Sequence, residues 1–90
     1  MNMTVVHARM EWNEAEGYLG QVQFRMGEHQ GTYEVTLQSK KGKEWMYALN
    51  FADGSGKEEE IMQLEEWLEE DDELFDALID AAQGALDNPS

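Results

Sequence analysis

The sequence predicts an α+β fold, a four-stranded antiparallel meander with one face covered by a C-terminal helical segment of two helices. Three observations carry this expectation. Apolar and polar residues alternate through the first half of the chain, the signature of half-buried strands. Apolar residues recur at helical spacing through the second half, and the period changes at the Gly-Ser-Gly stretch around residue 55. At 90 residues and 41% hydrophobic content, the chain has enough apolar surface for one interior and too little for two. A single domain over 1–90 is expected, with the meander in 1–52 and the helical segment in 57–86.

Each strand has its own pattern. Val6, Ala8, Met10 and Trp12 are expected on one face of the first, with His7, Arg9 and Glu11 on the other. In the second, Tyr18, Gly20, Val22, Phe24 and Met26 oppose Gln21, Gln23 and Arg25. Tyr33, Val35 and Leu37 alternate with Glu34, Thr36 and Gln38 in the third. Trp45, Tyr47, Leu49 and Phe51 alternate with Met46, Ala48 and Asn50 in the fourth. The links "NEAEG", "GEHQG" and "SKKGK" are short and contain glycine, as hairpins require. Met46 and Ala48 are apolar on the outward side and suggest a small homodimer patch.

In the second half, Ser55 is expected to cap the first helix, with Glu58 completing a capping box. Ile61, Leu64, Leu68, Phe75, Leu78 and Ala82 fall on one seam that Asp71 interrupts. One helix over 57–86 would be about 45 Å long, against about 25 Å for strands of seven or eight residues. A break at 70–72 follows, with Asp71 or Asp72 capping the second helix.

Charge narrows the function. The net charge is −14, with no cysteine. Residues 1–56 carry a net of −2 and residues 57–90 a net of −12, where Lys57 is the one base among thirteen acids. Direct nucleic-acid binding and attraction to an anionic membrane both need a basic footprint and are not expected. No signal pattern or membrane-length apolar run is present, so a cytoplasmic location is expected.

Motifs for catalysis are lacking, and the chain is expected not to be an enzyme. His7 lies on a polar strand face and His29 in a hairpin, each read as solvated. "GEHQG" offers Glu28 and His29 as adjacent metal ligands, a pair common in turns. "ADGSGKEEE" fits a calcium loop in neither register, since Phe51 and Met62, or Glu58, would occupy obligatory positions. It also lacks the Lys-Ser/Thr ending of a phosphate loop. Neither a metal nor a cofactor is expected. Trp12, Trp45 and Trp67 all fall on apolar faces, which assigns them to packing.

The most informative stretch is "LEEWLEEDDELFDALID", residues 64–80, with nine carboxylates and no Lys or Arg. Like charges four residues apart (Glu65–Glu69, Glu66–Glu70, Glu69–Glu73, Asp72–Asp76 and Asp76–Asp80) each cost about 0.2–0.5 kcal/mol. Such a face either serves solubility or meets a basic protein surface, which would relieve the repulsion. The expected contact residues are Glu65, Glu66, Trp67, Glu69, Glu70, Asp72, Glu73, Asp76 and Asp80. A structural domain that self-associates through its sheet is the alternative.

Overall fold

The computed structural model describes residues 3–27, 29, 31–52 and 56–87. Four strands come first: β1 (Met3–Asn13), β2 (Gly17–Met26), β3 (Tyr33–Ser39) and β4 (Met46–Phe51). Two helices follow, α1 (Glu58–Glu70) and α2 (Asp72–Asp87). The strands form one antiparallel sheet in chain order, leaving β1 and β4 as its edges. Both helices lie on one face. α2 packs on β1 and β2, α1 packs on β4, and the helices pack against each other.

The register explains the core. Phe24, Tyr33 and Phe51 stand side by side across three strands, followed by the row Val22–Val35–Leu49 and then Gly20–Leu37–Tyr47. The members of these rows on β2 and β3 are buried. Those on the edge strand β4 are only half-buried, because a helix covers an edge from one side. Leu64, Leu68, Leu74, Leu78, Ile79 and Ala82 supply the helical half of the core. The ring centroids of Phe24 and Tyr33 are 5.8 Å apart and those of Tyr33 and Phe51 are 5.7 Å apart, within the favourable range for aromatic pairs.

Two glycines are required by geometry. Gly17 has φ +82°, and a Cβ there would come within 2.6 Å of the backbone at Ser39 and Lys40. It therefore lets the β1–β2 hairpin close beside the β3–β4 hairpin. At Gly20 a Cβ would meet the Met10 side chain at 2.9 Å and the Ala82 Cβ at 3.2 Å. The missing side chain is what seats α2 on the sheet.

The helix break falls at Asp71. Its N–H donates to the Trp67 carbonyl (2.8 Å), closing α1, and its carbonyl accepts from Phe75 N–H (3.3 Å), opening α2. Its Oδ1 accepts from the N–H groups of Glu73 (3.1 Å) and Leu74 (3.2 Å), satisfying two donors of the new helix. Asp72 and Glu73 then occupy the first turn of α2, where negative charge is favourable.

Three expectations are corrected. Helix α1 begins at Glu58 with Lys57 as its N-cap, and no side-chain bond caps it. Glu58 is thus the first helical residue and not the third position of a capping box; Ser55 itself lies outside the described residues. The acids Glu58, Glu59 and Glu60 in the first turn complement the helix dipole instead. In β1 the pairing slips between Val5 and His7, so Val5 shares the face of Phe24 and Val6 is the bulged residue, 55% exposed. Trp12, opposite Tyr18, is also 55% exposed, beyond the reach of the helical layer.

Replacing Asp71 with Ala should cost about 1 kcal/mol in a denaturant titration, as loss of a side-chain cap does. Phe24→Ala should cost about 3–5 kcal/mol by opening a cavity, whereas Met46→Ala, on the outer face, should cost well under 1 kcal/mol. Equal losses at Phe24 and Met46 would contradict the assignment of faces.

Candidate functional site

The helical layer displays the carboxylates that the sequence singled out. Glu65, Glu66, Glu69 and Glu70 on α1, and Asp72, Glu73, Asp76 and Asp80 on α2, are all exposed. None of these eight forms an ion pair with a Lys or Arg among the described residues. They follow from amphipathic spacing: Leu64, Leu68, Leu74, Leu78 and Ile79 take the inward positions and leave the remainder to solvent. The break changes the repulsion. Glu69 and Glu73 now belong to different helices, so four like-charge pairs remain at four-residue spacing within a helix. Neither helix has a basic residue in its last turn, and Glu69 and Glu70 crowd the negative end of the α1 dipole.

Trp67 is the one predicted contact residue that is not free. It is half-buried, and its ring stacks on His29 with centroids 5.3 Å apart and an interplanar angle of 16°. His29 is accordingly not the solvated turn residue that its hairpin position suggests. Its Nε2 lies 3.2 Å from Gln63 Oε1 on α1, and its Nδ1 lies 2.8 Å from the Tyr33 hydroxyl on β3. With Oε1 as acceptor, Nε2 carries the proton, so in the neutral ring Nδ1 accepts from the Tyr33 O–H. One imidazole thus ties the β2–β3 hairpin to α1 and to the core. Both ring nitrogens are engaged within the protein, which makes this a structural histidine. No backbone pattern could have announced it, because Gln63 is 34 residues away.

Two phenols respond to this environment. Burial holds the Tyr33 hydroxyl above its ordinary range, and the charge of Glu60 adds to the effect. Burial likewise raises Tyr47, with Glu69 and Glu65 contributing. Carboxylates of α1 thus act on a half-buried phenol of the edge strand β4.

No protein-family model matches the chain, and no characterised protein or solved structure is significantly similar to it. Its surface has to be read on physical grounds.

Other candidates are less developed. Among the described residues no group of three or more His, Asp or Glu side chains could hold a metal ion. His7 is exposed and pairs across the strands with Gln23 on the polar face. Met46, 67% exposed, lies on the outer face with Gln38 between it and Leu19, which is 39% exposed. Among the described residues no helix is long and apolar enough to cross a membrane.

The raised phenols set an alkaline limit. Below pH 10, the ordinary tyrosine value, both folded and unfolded chains keep these protons and the contribution to stability is intact. As pH rises through the higher folded values, the unfolded chain has already released protons that the folded chain retains, so stability falls. Phenolate absorbance should show these two tyrosines ionising together with loss of the folded signal, and Tyr33→Phe with Tyr47→Phe should remove that coupled step. Ionisation of both well before unfolding would refute their burial.

Proposed function

We propose that this protein is a non-enzymatic binding module whose acidic helical layer docks on a basic protein surface. The observation that supports the reading is the set of eight exposed carboxylates, on two helices of one layer, with no Lys or Arg paired to them among the described residues. Their mutual repulsion costs roughly 1–2 kcal/mol over the four pairs remaining within helices, in a domain whose whole stability is on the order of 5–10 kcal/mol. A surface rich in Lys and Arg would remove that cost on contact. Long-range attraction would make association fast and sensitive to salt. The Trp67 ring, pinned by His29 among Glu65, Glu66, Glu69 and Glu70, supplies a rigid apolar element beside the charges. Immobilised aromatic side chains of this kind serve as anchors at interfaces, at little further cost in side-chain entropy.

Location of charge is separable from amount of charge. Glu66→Lys with Glu70→Lys should abolish salt-sensitive capture of basic proteins from a cell extract while leaving the circular dichroism unchanged. Glu14→Lys with Glu16→Lys makes the same change of net charge in the exposed β1–β2 turn and should preserve capture. If the two double variants lose capture equally, net charge alone is responsible and the helical layer is not a recognition surface. If neither loses it, the acidic layer serves only solubility.

A further inference from the structure

β1 is the longer of the two sheet edges, eleven residues against six in β4. Its outer rim is a row of backbone N–H and C=O groups with no strand beyond it among the described residues. Edges are ordinarily blunted by proline, lysine, brevity or a bulge; "MTVVHARMEWN" is long, has neither proline nor lysine, and carries its one bulge at its N-terminal end, away from residues 7–13. The bulge at Val6 confines regular pairing to residues 7–13. Met10 is the midpoint of that segment. Within it the only charged residues, Arg9 and Glu11, flank Met10 symmetrically, with opposite sign and both on the outer face.

We propose that β1 pairs antiparallel with β1 of a second copy of this chain, about a two-fold axis through Met10. In this register Arg9 lies opposite Glu11 of the partner subunit, and Glu11 opposite the partner's Arg9. Two opposite-charge pairs form from one strand sequence, as an isologous contact demands. Arg9 Nε donates to Gln21 Oε1 on β2 at 2.9 Å, which uses one of the five guanidinium donors and leaves four for a carboxylate across the edge. On the helix side, Trp12 lies opposite the partner's Ala8. The small residue leaves room for an indole that is 55% exposed in the single chain. Directly opposed side chains sit about 4.5–5.5 Å apart at Cβ, within reach of both contacts.

β4 offers no comparable match. "MYALNF" contains no charged residue to fix a register, and a β1–β4 contact would be head-to-tail, building rings or open chains in place of a two-fold dimer. Pairing about Met10 closes at two copies and joins the two four-stranded sheets into one. The two-fold axis stands perpendicular to that sheet, so both helical layers face the same side. This inference stands independently of what the acidic layer binds.

Sedimentation equilibrium of the full chain between about 5 and about 500 µM, in about 0.15 M salt to screen the net charge, tests it. A reversible monomer–dimer equilibrium is expected. Arg9→Glu and Glu11→Arg should each weaken it by roughly tenfold or more, because each places like charges opposite one another twice. The combined Arg9→Glu/Glu11→Arg chain should recover affinity to within about threefold of the parent, since the pairs are restored with their signs exchanged. Circular dichroism on every variant separates loss of pairing from loss of fold. A parent that stays monomeric throughout overturns the proposal. So does a dimer indifferent to the charge exchange, and so does a series of higher oligomers, which would indicate β1–β4 pairing.

Discussion

The molecule depends on the turn made by Asp71. Thirty residues of helix-forming sequence have to lie over strands little more than half that length, and an unbroken helix would leave a long apolar stripe in water. Asp71 ends one helix with its N–H and begins the next with its carboxylate. That single residue lets Leu64 and Leu68 cover one part of the sheet while Leu78 and Ala82 cover another. Phe24 and Tyr33 are fully buried beneath this layer. A polar residue in the middle of an apolar seam is therefore what completes the core.

Coverage from one side also determines where charge goes. The inward positions of α1 and α2 are taken by leucine, isoleucine and alanine, so acids collect on the outward positions of the same layer. The opposite sheet face is built from Arg9, Gln21, Gln23, Glu34 and Thr36. Its polar groups satisfy one another in part: Gln23 Nε2 donates to Glu34 Oε2 at 3.0 Å. The two faces thus have different characters from one cause, the single helical layer.

Much of this was legible in the residues. Period-two alternation gave the faces of β2, β3 and β4, and the length mismatch located the break; of the two candidate caps, Asp71 and Asp72, the structure has Asp71. The exposure of the eight carboxylates follows from the same helical spacing. What escaped the pattern has physical reasons. Val5 and Val6 are adjacent and equally apolar, so nothing local says which one the bulge turns outward. Trp12 reads as a core residue because alternation reports a face and not how far the helices extend over it. His29 looks like an ordinary turn residue until Trp67 and Gln63 arrive from another element. Helix α1 starts by dipole complementarity in its first turn, a weaker signal than a cap.

A domain with most of its acids on one side of its sheet carries a large dipole across that sheet and therefore has a preferred orientation in a field. Near any positively charged plane, such as an anion-exchange matrix, the torque on its dipole would turn the helices towards the plane. The Gln- and Thr-bearing sheet face would then be directed to the solution. Adsorbed molecules would lie in one pose, protecting the helices from proteases while leaving the outer sheet face open. Elution would report chiefly on the charges of 58–80 and hardly on the rest of the chain.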